Sequence, residues 1–261
     1  MNDLFLRNIG TLTVEKQLKI MDTKIGIAGC GLGSEVARQI VKFGFGLGAL
    51  ADPDTVEIHN LNRQNYHSHH VGVKKVHALL EELRQTNPDL NPKMYEEGIT
   101  HDNYEAFVAS SDIIVDGIDP DALPLSVALT REAHRQGKPV VTALDFGFGA
   151  RLFVFPGDGI DIMDFLGISP QTTDEALMAK PLAEIMMPYL RGEIPEYVME
   201  TLQAFAAGNL SYYPQNILAV TTAGGMITAA CKRLALGQPV VSAPDFLHID
   251  FDLALAGGSK A

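Results

Sequence analysis

The chain has 261 residues, 46% of them hydrophobic, and a formal net charge of −12. That length and apolar share support one large α/β domain, and the acidic balance argues against a broad nucleic-acid surface. Two cysteines, Cys30 and Cys231, exclude a disulfide framework or a four-cysteine zinc site.

The start, MNDLFLRNIG, lacks the basic and apolar regions of a signal peptide. No apolar run reaches the roughly 18 residues of a membrane span. A cytoplasmic protein is expected. Residues 1–22 carry a weak helical pattern, with Leu4, Leu6 and Ile9 followed by Val14, Leu18 and Ile20. Ile25 to Ala28 reads as a buried parallel strand. Gly29, Gly31 and Gly33 crowd the next turn, with Cys30 as a small packed residue among them. Ser34 opens a helix with Val36, Ala37, Ile40 and Val41 on one face. A second apolar run, Leu47 to Ala51, ends at Asp52. Strand, glycine turn, helix, strand and acid are the parts of a nucleotide-binding unit. Glycines let backbone N–H groups approach phosphate at a helix N-terminus, and an acid about 20 residues on reaches a ribose hydroxyl.

The next stretch is more specific: Asp52, Asp54 and Val56, then Asn60, Asn62, Arg63 and Gln64, then Lys74 and Lys75. A dehydrogenase has no evident use for it. Between them His67–His70 reads HSHH; the spacing is too crowded for a helical i, i+4 metal pair and no cysteine is near, so an exposed loop is expected. Val76, Leu79, Leu80 and Leu83 mark a helix stopped at Asn87-Pro88.

A short strand is expected at Lys93–Glu97, a helix at Asp102–Ser110, and a buried strand at Asp112–Asp116. That strand runs into Asp119, which stands where ligands meet an open parallel sheet. As a hard oxygen donor Asp119 suits magnesium bound with substrate phosphates; alternatively it caps the helix that follows. That helix covers about Ala122–Gln136 and stops at Gly137. Strands follow at Pro139–Leu144 and Arg151–Pro156, joined by DFGFGA.

Residues 157–213 depart from a simple nucleotide fold and read as a helical insert within a single domain over 1–261. Helices are expected at Leu177–Leu190 and Glu196–Ala207. Met178, Met186, Met187 and Met199 read as core packing, with a flexible substrate wall or dimer surface as the alternative. Ile217–Leu236 is a long apolar helix that takes Cys231 into the core, and Phe246–Asp252 is a half-exposed final strand. The closing GGSKA reads as frayed.

The acid-rich loop with Asn60, Arg63 and Lys75, the Asn-Pro helix stop and the late helix ending KRLALGQP together resemble the ThiF/MoeB adenylyltransferases, relatives of ubiquitin-activating enzymes. The resemblance is strong over about 1–145, weak over 146–213 and moderate over 214–252. It implies a Rossmann-like α/β fold whose mostly parallel sheet is extended by antiparallel strands. It implies ATP with Mg²⁺: Gly29, Gly31 and Gly33 at the phosphates, Asp52 at the ribose, Asn60, Arg63 and Lys75 on the triphosphate, and Asp119 on the metal. It also implies a homodimer in which Arg7 reaches the partner's ATP.

Two departures matter. Pro120 stands where the family usually has Asn, and the family's zinc-binding CxxC pairs and reactive cysteine are missing. The expected reaction is adenylation of a carboxylate or carbonyl oxygen on a small molecule or a peptide or protein C-terminus, with no thioester on this chain. Arg151, Lys180 and Arg191 are the cationic candidates for an anionic substrate. An NAD(P)-dependent oxidoreductase or a non-catalytic nucleotide-binding module is the alternative.

Overall fold

The computed structural model describes residues 3–257; the segment read as frayed, Gly257 apart, lies outside the described residues. A 3-10 turn at Asp3–Asn8 and α1 (Val14–Asp22) lead into β1 (Lys24–Ala28). Helices and strands then alternate as α2 (Leu32–Phe43), β2 (Gly46–Ala51), α3 (Lys75–Arg84), β3 (Lys93–Tyr95), α4 (Tyr104–Ala109), β4 (Ile113–Asp116), α5 (Leu123–Arg135) and β5 (Val140–Phe146). Each break has a local cause. Thr13 caps α1 by accepting from Lys16 N, and Gly44, at φ 108°, closes α2 in the left-handed conformation that a side chain would strain.

After β5 the pattern changes. β6 (Gly149–Phe155) folds straight back on β5, and four helices follow: α6 (Ile162–Leu166), α7 (Asp174–Met178), α8 (Leu182–Met186) and α9 (Glu196–Ala206). The long α10 (Ile217–Ala235), β7 (Leu247–Asp250) and α11 (Phe251–Leu255) complete the described chain. The seven strands form one sheet in the order β3-β2-β1-β4-β5-β6-β7. The first five are mutually parallel and the last two antiparallel, the mixed sheet expected.

Two buried clusters flank it. One holds Ile40, Leu79 and Ile227 from α2, α3 and α10; the other holds Phe107, Leu129 and Phe165 from α4, α5 and α6. The apolar runs of β1 and β4 follow from this, since both faces of those strands are covered. Small residues let α10 lie close on α2: a Cβ on Gly224 would stand 2.7 Å from Gln39 Nε2. Among the described residues no helix is long and apolar enough to cross a membrane.

Four expectations are corrected. The helix expected at Leu177–Leu190 is broken into α7 and α8, with Pro181 as the N-cap of α8. Such one-turn pieces cannot bury a continuous stripe, and Met178 and Met187 are exposed rather than packed in the core. The final strand is shorter than expected because Asp250 accepts from Leu253 N and turns the chain into α11. The HSHH stretch is only partly an exposed loop: Ser68–His70 forms a 3-10 turn and His70 is buried.

Arg151 is the fourth correction. It is 1% exposed and cannot meet a substrate. Its guanidinium donates to the carbonyls of Tyr189 (3.2 Å), Arg191 (2.5 Å) and Glu193 (2.8 Å) and lies over the Phe246 ring at 4.2 Å. The planar five-donor fork of arginine is what allows one side chain to hold several carbonyls of an irregular segment. Arg151→Met should therefore destabilise the fold by about 3–5 kcal/mol, because it strands buried carbonyls while conserving volume. Urea denaturation at neutral pH measures this, and a loss under 1 kcal/mol would remove Arg151 as the pin of residues 189–193.

Candidate active site

From β1 the chain proceeds to β2 and β3 on one side of the sheet, then returns to β4 and β5 on the other. The carboxyl ends of β1 and β4 are thus a topological switch point, where the two sets of loops diverge and leave a crevice. Gly29 sits at its floor with φ +85°, and a Cβ there would stand 2.1 Å from Gly117 O. Only glycine satisfies both conditions. Gly31 is the N-cap of α2, and a Cβ on Gly33 would meet Ile27 Cγ2 at 2.7 Å, so Gly33 serves close packing of α2 on β1.

Asp52 follows β2 into this crevice and is 4% exposed. Its Oδ2 accepts from Cys30 N at 2.6 Å and its Oδ1 from Asp54 N at 2.8 Å. One carboxylate thereby joins the glycine turn to the loop after β2. Lys75, the first residue of α3, places Nζ 2.7 Å from Asp54 Oδ2 and 3.8 Å from Asp52 Oδ1. Burial acts to lower the Lys75 pKa, but Asp52, Asp54 and Asp119 outweigh it and the pKa is raised. The lysine is held charged. Lys74 is committed elsewhere, donating to Pro53 O and Glu96 O.

Asn60 and Arg63 lie on the loop between β2 and α3. Asn60 is buried, and its Oδ1 accepts from Glu57 N at 2.9 Å, which shapes the loop. Arg63 Nη1 donates to His59 O and Asn62 Oδ1 at 3.0 and 2.9 Å. Partial burial lowers its pKa, opposed by Asp145 and Asp119 facing it. Asp119 precedes the 3-10 turn Pro120–Ala122 but makes no side-chain cap bond there, so it is available to the crevice. Its pKa is raised by desolvation, then by Asp121, with Lys75 opposing.

Arg7 stands apart from its own crevice. It is exposed, and its neighbour Asn8 donates to Phe43 O at the C-terminal end of α2. The glycine turn is at the other end of that helix, about 18 Å away at 1.5 Å per residue. Lys180 pairs with Glu184 on the surface, and Arg191 lies 5.6 Å from the Phe165 ring centroid. Both cysteines are buried; burial pushes the Cys30 thiol well up and the Cys231 thiol to about 12.

Asp145 is the site residue that sequence reasoning missed. It lies near the end of β5, and Gln215 Nε2 donates to both its oxygens, at 3.2 and 3.0 Å. Desolvation raises its pKa to about 6, against the Gln215 bond and Arg63. The rule that singled out Asp119, an acid at the carboxyl end of a parallel strand, applies equally to Asp145.

Fold and crevice define an α/β protein of the Rossmann-like class with two cations and a ring of carboxylates at its switch point. The chain belongs to the ThiF family, whose model matches residues 5–251. The "Adenylyltransferase and sulfurtransferase uba4" of Emericella nidulans is 34% identical over 153 residues, 56% of this chain and 31% of that protein. The "Sulfur carrier protein ThiS adenylyltransferase" of Escherichia coli (strain K12) is 29% identical over 145 residues, 55% of this chain and 57% of that protein. The chain thus spans less than two thirds of these relatives. Among solved structures, E. coli MccB with ATP gives a TM-score of 0.65 at 17% identity, covering 97% of this chain and 69% of that one. The E. coli tRNA N6-threonylcarbamoyladenosine dehydratase TcdA in complex with ATP gives 0.62 at 19% identity, covering 89% and 93%. At such identities the likeness is one of fold.

Asp145 yields a pH test. Its folded pKa, about 6, lies above the ordinary carboxylate value, so the folded chain binds this proton more tightly than the unfolded chain. The associated stability is present below about pH 4 and is lost as pH rises through about 6. Asp145→Asn should be nearly neutral at pH 4 and should stabilise by up to about 2–3 kcal/mol at pH 8, a few degrees in Tm. Equal Tm shifts at both pH values would contradict the assignment.

Proposed function

We propose that this chain is an ATP-dependent adenylyltransferase that activates a carboxylate or carbonyl oxygen as its adenylate, without a thioester on its own cysteines. The observation that carries this reading is Lys75 Nζ 3.8 Å from Asp52 Oδ1 behind the glycine turn, with Arg63 on the loop that Asn65 N ties to Ser34 at the start of α2. Two fixed cations suit a triphosphate and have no evident task beside a nicotinamide, which disfavours the oxidoreductase reading. The family membership and the adenylyltransferases among its relatives support the same reaction.

In this proposal the turn at Gly29, Gly31 and Gly33 and the start of α2 receive phosphate through backbone N–H groups. Asp52 accepts from the ribose with lone pairs left over from its two backbone bonds. Asn60 holds the loop that presents Arg63. The substrate oxygen attacks the α-phosphorus, its bond to the β-phosphate oxygen breaks, and pyrophosphate departs with the electron pair. Lys75 and Arg63 offset the charge that develops on that leaving group, and fixed cations need little reorganisation as the reaction proceeds. To do so Lys75 exchanges Asp54 for phosphate oxygen.

The residues present fit Mg²⁺: Asp119 feels the charges of Asp121, Asp54 and Asp52, with Lys75 opposing, and carboxylate oxygen is the donor this ion prefers. Asp119 would hold it, and the bound ion would supply charge neutralisation at the triphosphate. Neither cysteine has the exposure or the lowered pKa of a nucleophile. We place the protein in the cytoplasm and the carboxylate of a small molecule or a peptide or protein C-terminus in the substrate position. The chain acts as a homodimer in which Arg7, too far from its own crevice, completes the partner's.

ATP–pyrophosphate exchange across a panel of carboxylates tests the reaction. Lys75→Ala should lower exchange by on the order of 10²–10³, whereas a Cys30→Ala, Cys231→Ala double variant should retain it. A thermal shift with NAD but none with ATP and Mg²⁺ would refute the reading.

Complementation tests assembly. Arg7→Ala and Arg63→Ala homodimers should each be nearly inactive, and the mixed dimer should regain one intact site. Verified heterodimers without activity would return Arg7 to an ordinary surface residue.

A further inference from the structure

The three histidines set aside as a loop do not stand alone once the chain is folded. The turn Ser68–His70 lies against α3, and α3 presents Glu81 and Glu82 to it. His69, His70 and Glu81 each offer a ligand atom within 4.8 Å of the other two. His69 Nε2 is 4.0 Å from Glu81 Oε1, and the rings of His69 and His70 are 4.0 Å apart between centroids.

A second observation is independent of that clustering. His70 is 1% exposed, yet its buried Nε2 has no hydrogen-bond partner. The ring faces the carboxylate of Glu82, whose Oε1 is 3.6 Å away, beyond hydrogen-bond distance. His70 Nδ1 accepts from His67 N at 3.1 Å, so the neutral ring carries its proton on the orphaned Nε2. A buried imidazole N–H left this way is uncommon and calls for a reason.

We propose that His69, His70 and Glu81 form a site for a divalent transition-metal ion of the zinc class, with Glu82 behind His70. Two imidazoles and one carboxylate are the donor types such an ion takes, and one further position remains for water. Zinc ligands at about 2.0–2.1 Å from the metal lie about 3.3 Å from one another, so the site closes by up to about 1.5 Å on loading. The exposed side chains of His69 and Glu81 can supply that movement. His70 gives its Nδ1 lone pair to the ion in exchange for the His67 N–H. Its Nε2–H then draws onto Glu82, the carboxylate–histidine–metal arrangement. Glu82 is also 3.2 Å from His67 Nε2, so the same carboxylate orders both ends of the turn.

The location gives the site a structural task. The histidine turn lies between Arg63 and Lys75 in the chain, and Glu81 is on the helix that Lys75 opens. A metal here staples the loop carrying Arg63 to α3. This inference does not rest on the adenylation reading, and its test involves no nucleotide.

The experiment is a calorimetric titration of untagged, metal-stripped protein with Zn²⁺, followed by thermal denaturation. Expected are one ion per chain with a Kd below about 100 µM, a Tm raised by about 5 °C at saturation, and no such shift with Mg²⁺. His69→Ala with Glu81→Gln changes two exposed side chains and should keep the fold while weakening zinc at least about 100-fold. His101→Ala, an exposed histidine paired with Asp174, should bind zinc as the unaltered chain does. A Kd weaker than about 100 µM, or tight binding that survives the His69/Glu81 double variant, overturns the site.

Discussion

The Asp52 carboxylate is the constraint on which the crevice depends. Buried after β2, it accepts from the backbone of Cys30 in the glycine turn and of Asp54 in the next loop, and it faces the ammonium of Lys75. Three segments distant in sequence are thereby held to one group. A buried carboxylate needs such partners, since desolvation without them would cost several kcal/mol. Lys75 needs the carboxylates in turn, because burial alone would lower its pKa and weaken it as a cation. A nucleotide entering this site meets charges already oriented by one another.

The same geometry gives the glycines of the turn separate tasks. Gly29 is required because the loop after β4 passes directly over it, and Gly117 N donates to Ala28 O at 2.7 Å. Gly33 is required for a different reason, the close seat of α2 on Ile27. One lets two loops meet at the crevice floor; the other sets the distance between helix and sheet. Tyr66 adds a third restraint by donating from its hydroxyl to Cys30 O at 2.7 Å, which joins the Arg63 loop to the turn.

Beyond β5 the architecture rests on another principle. The segment from α6 to α9 consists largely of short helices that cannot supply their own core. It is held by aromatic contacts and by Arg151, reaching from β6 to the carbonyls of residues 189–193. Gln215 and Asn216, just before α10, return to the crevice side by binding Asp145 and Gly147 O. The irregular half of the chain and the nucleotide-like half thus meet at Asp145, whose raised pKa records that burial.

What the sequence determined by itself is local or periodic. The apolar runs of β1, β2, β4 and β5, the amphipathic stripes of α2, α3 and α10, and the glycine turn follow from side-chain period and backbone sterics, which act over a few residues. The family motif singled out Asp52, Asn60, Arg63, Lys75 and Asp119, which lie in the segments following β2 and β4, whereas Arg7 lies by the far end of α2. Tertiary structure decided the rest. Arg151, Lys180 and Arg191 look alike as cations in a sequence, but only the fold shows Arg151 sealed beneath carbonyls. Asp145 and Gln215 are 70 residues apart and become a pair only through the β5–α10 packing. His69, His70 and Glu81 likewise gain a common centre only when the turn lies down on α3. The reason is physical: period and propensity report the environment a residue needs, while burial, pKa and ligation depend on which distant groups supply it.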